Sequence, residues 1–589
     1  MLSFVIVSLL IETFYHFFRI YSIANYQRRM CMHYLFALLA LTLNPFIWKS
    51  HLKKRRFLIF QIIRLLTGIL IIFCLNYFQL IDHTLQALFK YGAIYLAFFL
   101  FLDLLFGKVK GYKITGILFL YFVLFSLYVQ FIYPLTITGD KYHFVQEKAT
   151  VIEKEAVSTN EKHIVVVPES YARYRSEKKL GEISHPSYYD LGDSTLQKID
   201  EHLYWVTPIE YTGFFKWVKG NDVPGFIKMS AEDENEDAVL VQSSMKYVPS
   251  AYFNEDLKRL VRNKHKDTIL LEASFEPDDN DKPYYVIPYG QYNKFREIVD
   301  IKGIYIIDPA TGKVEDYAMN NIPDFIDHVI PTSVAEDWNE WYGKYIHGFW
   351  NTLFAKEDMK LPTTWENVDE VNGVFNEDLQ LHWFTDFTRP KSDSGSMVGY
   401  SMINARTGTL TFYTEANGSL NGKSAINVAE KTFRAQKYEA GTPLLYTIYG
   451  QFTWVVPLMD SNHVLREIML INAKDEKVYS YHTEKTKLFN DYKYALVTLL
   501  KNDKTVPNNI ADQKTITGTV SYVYKSEIEN STIVKFMLEG NKTIFQVSSN
   551  DFPYSIFLEK GMELTVDYVD TEEVIVTVEN LVVEEQDLH

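Results

Sequence analysis

At 589 residues the chain is too long for one core, and its net charge of −15 argues against a nucleic-acid binder. The charge is unevenly spread: residues 1–139 hold 13 Lys/Arg against 3 Asp/Glu, leaving 46 against 71 of the chain's 59 and 74 for the rest. The only two cysteines, Cys31 and Cys74, lie in the apolar N-terminal part, which excludes a disulfide-stapled ectodomain.

Five apolar stretches, near 2–21, 32–48, 57–78, 86–106 and 113–134, have bilayer-spanning length and predict an all-α membrane bundle over 1–137. The first lacks a basic leader and a small-residue cleavage site, so it reads as an uncleaved span. Lys49, Lys53, Lys54, Arg55 and Arg56 form one basic cluster, and Lys108, Lys110 and Lys113 another. The loop between them, around Leu80–His83, has no Lys or Arg. Placing both clusters in the cytoplasm sends the body outward, although Arg28 and Arg29 then lie outside. A multi-pass cell-membrane protein with an extracytoplasmic body is expected. Arg64 and Asp103 fall inside spans and are candidates for an intramembrane ion pair.

After a linker over 138–194, one short pattern recurs four times: an aromatic strand, a gap, a second strand and a polar turn. The copies pair Tyr204–Pro208 with Phe226–Ala231, Tyr285–Pro288 with Ile304–Val314, Trp383–Asp386 with Tyr400–Leu410, and Trp454–Pro457 with Ile468–Val478. Helices are predicted over 254–263 and 424–440, ahead of the second and fourth copies. A helix followed by antiparallel strands gives an α+β layer, with two units over 195–330 and two over 363–500. In Asp308-Pro309-Ala310-Thr311-Gly312-Lys313-Val314 the Asp accepts backbone N–H groups and the Gly supplies positive φ. Asn404–Gly408 repeats this, whereas Lys474–Lys477 lacks the glycine and predicts a looser turn. Helix, strands and this closing hairpin resemble the PepSY-like module of bacterial envelope proteins. That resemblance implies a protein-binding or peptidase-regulating role and carries no catalytic residues to transfer.

Between the second and third copies, over 331–362, Trp338, Trp341, Tyr342, Tyr345, Phe349 and Trp350 recur at helical spacing within Val334–Phe354. They predict one amphipathic helix, packed on its own body or offering a contact to the membrane interface or a partner. After a polar linker, five strand-like runs within 512–585 predict a small all-β, OB-like barrel. It is acidic and has no basic aromatic groove, so no nucleic acid is expected as partner.

No catalytic motif is present. His-Glu-x-x-His and phosphate-cradling Gly loops are missing, Gly395-Ser396 has no following helix, and His347, His382, His463 and His482 are scattered. The acidic run Glu232–Asp237 reads as a solvated hairpin tip rather than a calcium loop. No enzyme, cofactor or metal is expected. The expected partners are the lipid bilayer and a protein or polymer of the envelope. The alternatives are an envelope enzyme with a site between repeats, or an accessory or sensor subunit of a transport or secretion complex.

Overall fold

The computed structural model describes residues 26–42, 55–106, 112–153, 160–220, 222–364, 371–390, 395–414, 416–499, 513–528, 531–570 and 574–583. Among these, three helices are long and apolar enough to cross a membrane: Leu58–Tyr77, Leu85–Leu105 and Lys113–Thr136. The stretch expected over 2–21 lies outside the described residues. A fourth helix, Tyr26–Leu41, has 16 residues and packs on the first two of the three through Leu38 and neighbours, with Tyr34 stacked on His83 at 4.9 Å. Leu58–Tyr77 and Leu85–Leu105 form a hairpin through 78–84. Near the end of the third span the helix widens into a π-turn over Tyr128–Ile132 just before Pro134, which cannot donate to the helical ladder.

Beyond the spans the chain builds four sheets on one plan. Each has a helix, two short strands sharing one edge, a long first strand, a long second strand and a closing strand, all antiparallel. In unit 1 these are Glu169–Leu180, Tyr189–Leu191 with Thr195–Ile199, His202–Tyr211, Val223–Ser230 and Val239–Met245. Unit 2 runs Leu257–Lys264, Ile269–Leu270 with Ser274–Phe275, Tyr285–Asn293, Ile298–Ile307 and Val314–Ala318. Unit 3 has Thr332–Lys344, Leu361–Pro362 with Asn372–Phe375, Leu381–Thr388, Gly399–Asn404 and Leu410–Tyr413. Unit 4 has Gly422–Thr432, Glu439–Ala440 with Leu444–Ile448, Gln451–Met459, Leu465–Asn472 and Tyr479–His482.

The repetition reaches single hydrogen bonds. The residue that ends the second strand, or in unit 2 the one just after it, caps the following turn by accepting two backbone N–H groups. Ser230 serves Glu232 and Asp233, Asp308 serves Ala310 and Thr311, Asn404 serves Arg406 and Thr407, and Asn472 serves Lys474 and Asp475. The next carbonyl then receives the strap leading to that unit's helix: Val167 N–H reaches Ala231 O, Tyr247 reaches Pro309, Ile330 reaches Ala405 and Leu420 reaches Ala473, at 2.7–3.1 Å. In three units the first-strand tryptophan donates its indole N–H to that strap: Trp205 to Val167 O (2.8 Å), Trp383 to Ile330 O (2.7 Å) and Trp454 to Leu420 O (2.9 Å). Such a bond settles the one polar atom of a large buried ring. Unit 2 has Tyr285 at this place, and its hydroxyl goes to Glu210 of unit 1. One hydrophobic core runs through all four units.

Three local expectations change. The helix predicted over 334–354 is two helices, Thr332–Lys344 and Gly348–Leu353, broken where Gly348 takes φ +72°. The helix predicted over 424–440 ends at Thr432, freeing Glu439–Ala440 to join the sheet edge. The turn at 474–477 keeps its cap without a glycine, because Asn472 accepts two N–H groups and Asp475 accepts the Lys477 N–H (3.0 Å).

The chain leaves the third span through the helix Thr138–Gln146 and the strand Ala149–Ile152, which adds in parallel to Leu410–Tyr413 of unit 3. After unit 4 the helix Lys485–Leu499 covers its sheet with Leu488, Phe489, Tyr492 and Leu496. The C-terminal part is a closed five-stranded barrel with its own core, made of Gln513–Ile528, Ser531–Leu538, Ile544–Ser548, Glu563–Val569 and Ile575–Val583. The last two strands exchange places around the barrel, so the third and fifth pair in parallel.

Candidate functional site

A dense polar network lies where the long apolar helices meet unit 2. The hairpin joining its two long strands holds Lys294, Phe295 and Arg296 all at positive φ (47°, 49° and 68°), a conformation that side-chain-bearing residues rarely adopt. Each of the three then meets an element from the helical N-terminal part. Lys294 Nζ lies 3.0 Å from Asp140 Oδ1, Phe295 packs edge-on against Tyr133 at 6.1 Å, and Arg296 Nη1 lies 2.8 Å from both oxygens of Asp82. Arg296 and Asp82 are 8% and 4% exposed, so the pair is desolvated. Lys141 adds a bond to Glu297 at 3.1 Å.

A second contact comes from the helix Leu257–Lys264. Arg262 donates to Leu80 O at 2.9 Å in the loop between spans, and to the carbonyls of His265, Lys266 and Thr268 at 2.7–3.1 Å. The His83 backbone N–H returns a bond to Lys266 O at 2.9 Å. Arg259 lies 3.6 Å over the ring of Tyr77, the last residue of the first of the three spans. Burial, then Arg262 and Lys266, lower His83 to about 4, so it is neutral at pH 7. Burial pulls Arg296 down, but the charge and hydrogen bond of Asp82 outweigh it and leave Arg296 above its ordinary value. Loop 78–84 and residues 133–141 therefore grip the same side of unit 2, as a clasp between the apolar helical hairpin and the body.

The aromatic residues singled out from the sequence divide at the helix break. Trp338, Trp341 and Tyr342 are buried against the connecting helix, with Phe144 edge-on to Trp338 (6.0 Å), Tyr142 stacked on Tyr342 (6.3 Å) and Lys141 over Trp341 (5.2 Å). Tyr345 and Phe349 are half-buried, while Trp350 is 68% exposed. Arg64 and Asp103 are joined directly and both are buried between the helices.

Other ionisable groups sit at seams between units. Asp327, on the strap between units 2 and 3, accepts the Lys198 N–H of unit 1 (3.0 Å), and Glu276 accepts the Asp327 N–H (2.7 Å). Burial, then the neighbouring Glu276, raise Asp327 to about 7. Asp386 stands where units 1, 2 and 4 have Pro208, Pro288 and Pro457. It accepts from Thr363 (2.7 Å) and from Gly422 N–H at the start of unit 4's helix (3.2 Å), and burial raises it to about 6.

Among the described residues, one group has donor atoms close enough to hold a metal ion. His163, His202 and Glu232 bring them within 4.8 Å of one another. Glu232 lies in the acidic run read as a solvated tip, yet its side chain is largely buried, with Oε1 2.7 Å from His163 Nδ1 and Oε2 3.3 Å from His202 Nδ1. Two ligands of a tetrahedral zinc stand about 3.3 Å apart. The His163–Glu232 distance is instead that of a hydrogen bond, so the carboxylate closes two imidazoles together and needs no ion.

No known protein family matches the chain, and no curated protein matches it.

Sequence reasoning passed over Asp82, Arg262 and Arg296. The available signal was Asp82 itself, a carboxylate without a basic neighbour in a short loop between two apolar stretches.

Proposed function

We propose that the protein is a multi-pass, membrane-anchored scaffold of a bacterial cell envelope, whose extracytoplasmic body binds a protein or a polymer of the envelope. The observation that carries this reading is the clasp: Arg296–Asp82 and Arg262–Leu80 fix four equivalent sheets to a membrane hairpin, an arrangement for holding a surface in place. The clasp also bears on orientation. Loop 78–84 touches the body, so the start of the helix Arg55–Tyr77 and the end of the helix Leu85–Phe106 lie at the far side. Those ends adjoin the eight basic residues of the two clusters, against Arg28 and Arg29 at the near side.

The repeated plan of a helix followed by an antiparallel sheet supports a binding module over an enzyme, the role that the PepSY-like resemblance implies. The barrel's strand order supports the OB-like reading, with protein contact as its role. A second reading, an accessory or sensor subunit, is favoured by the buried Arg64–Asp103 pair, since charge inside a bundle is costly without a task.

The test is cross-linking in intact cells from exposed positions of units 1 and 4, combined with protease access to a tag after Asp587. Capture of a discrete envelope partner with the tag cleaved in intact cells supports the scaffold. A tag protected until lysis, or turnover of wall polymer by the full chain with no partner captured, overturns it.

A further inference from the structure

The hairpin that clasps the membrane helices in unit 2 has a counterpart in every unit, between the two long strands. In unit 4 it is a polar turn over 460–464, where Asp460 is paired with Arg466 at 2.7 Å. In unit 1 it is enlarged into the short helix Phe214–Lys219, Phe-Phe-Lys-Trp-Val-Lys. Phe215 is 75% exposed, and Val218 and Phe214 are also exposed. A second segment joins them. In units 1, 3 and 4 the helix begins within two residues of its strap, but in unit 2 the residues 248–256 intervene and carry Tyr252 and Phe253 outward. Phe253 holds φ +55°, an unusual state for an aromatic residue, and is exposed.

These rings are contiguous with the membrane helices. Tyr77, the last residue of a span, lies 6.5 Å from Phe253. Phe253 lies 6.1 Å from Phe214 and 5.7 Å from Trp217, and Phe214 lies 5.5 Å from Phe215. The apolar surface of the span thus passes into the body by ring-to-ring contact. An aromatic sheet of this kind, with Lys216 and Lys219 on the same short helix, has the composition of an interfacial anchor.

We propose that Phe214, Phe215, Val218 and Phe253 form a foot that rests in the headgroup and upper acyl zone of the bilayer beside the span Leu58–Tyr77. Units 1 and 2 then use the same hairpin position for two purposes, one gripping helices and one gripping lipid. Trp217 holds the foot's shape from within, its indole N–H donating to Glu255 at 2.9 Å. The foot rests on the membrane-anchored reading of the protein, and its occupant is the bilayer itself.

The experiment uses the full chain, with Cys31→Ser and Cys74→Ser, reconstituted in vesicles of three parts phosphatidylcholine to one of phosphatidylglycerol. Single nitroxide labels are placed at Phe215→Cys, at Ile117→Cys on a span (68% exposed) and at Tyr481→Cys on unit 4. Accessibility to oxygen and to a water-soluble nickel chelate is read for each. The foot predicts that Phe215 resembles Ile117, with the oxygen-to-nickel ratio at least several-fold above that of Tyr481. A Phe215 label as open to nickel as Tyr481, with Ile117 in lipid, overturns the foot and leaves the anchoring intact. A Phe215 label shielded from both reagents, in vesicles and in detergent alike, places protein on the patch and overturns it too. An Ile117 label open to nickel overturns the anchoring and the foot together.

Discussion

Units 2 and 4 share a plan and differ in what they add to it. In unit 4 the strap runs straight into its helix, Trp454 ties the first strand to that strap, and the sheet is covered by Lys485–Leu499. In unit 2 the strap is lengthened by 248–256, the tryptophan is replaced by Tyr285, and the hairpin is forced into three consecutive left-handed residues. Every one of these departures faces something outside the unit. Tyr285 reaches unit 1, Phe253 reaches Tyr77, and Lys294–Arg296 reach Asp140, Tyr133 and Asp82. A duplicated scaffold is most informative where it breaks its own rule, because strain persists only where surrounding contacts over-determine it.

The comparison breaks most visibly in the core. Trp454→Ala removes a fully buried ring and leaves Leu420 O without its donor, so it is expected to cost about 3–5 kcal/mol in chemical denaturation of the full chain. Tyr285→Phe, at the equivalent position, loses one hydroxyl bond and is expected to cost about 1 kcal/mol. Equal costs would mean that the two positions do not differ as described. Next in size is the clasp. Arg296→Ala strands a buried Asp82, and a local loss of about 3 kcal/mol is expected. The readout is faster hydrogen exchange at 78–84 and 294–297, with exchange in unit 4 unchanged. Uniform acceleration across all four units would show that the clasp and the core unfold as one.

Much of this plan was legible. The polar turns with Asp308 and Asn404, and the aromatic starts at Trp383 and Trp454, are short-range signals with one mechanism each, and they recur in equivalent geometry. The five strands of the barrel were readable for the same reason. The helix Glu169–Leu180 was not, because Glu-Ser-Tyr-Ala-Arg-Tyr-Arg-Ser-Glu-Lys-Lys-Leu presents hardly any apolar stripe. For Thr332–Lys344 the sequence leaves two fates open for one dense aromatic face, packing on its own body or an outward contact, and Trp338, Trp341 and Tyr342 are buried, with Tyr142 and Phe144 of the connecting helix against them. The clasp joins Asp82 to Arg296, and the imidazole pair joins residues 163, 202 and 232. Contacts of that separation leave no periodic trace in sequence.

The seam between units 1 and 2 sharpens the comparison through pH. Burial and Glu276 raise Asp327 to about 7, so the folded protein keeps a proton that the unfolded chain releases near pH 4. Protons bound in excess by the folded state mean that stability falls as pH rises from about 4 to 7, and the loss is complete above that window. Asp327→Asn keeps an acceptor for the Lys198 N–H and removes the ionisation. It is expected to gain about 2 kcal/mol over the parent at pH 8 and nothing at pH 4, read as melting temperature against pH. An unchanged pH profile would show that Asp327 stays ionised in its seam.

The smallest effect tests the equivalence itself. Asp308 in unit 2 and Asn404 in unit 3 each accept two turn N–H groups at 2.8–3.1 Å, on turns whose glycines, Gly312 and Gly408, hold φ +69° and +74°. Asp308→Ala and Asn404→Ala are each expected to cost about 1 kcal/mol in denaturation midpoint, since each leaves two backbone donors at a half-exposed turn to water. The two costs should agree, because the turn is the part of the plan that unit 2 has kept while its strap and hairpin were put to other use. If Asp308→Ala also loosened loop 78–84 in hydrogen exchange, the turn would belong to the clasp as well, and unit 2 would have no part left that serves only its own sheet.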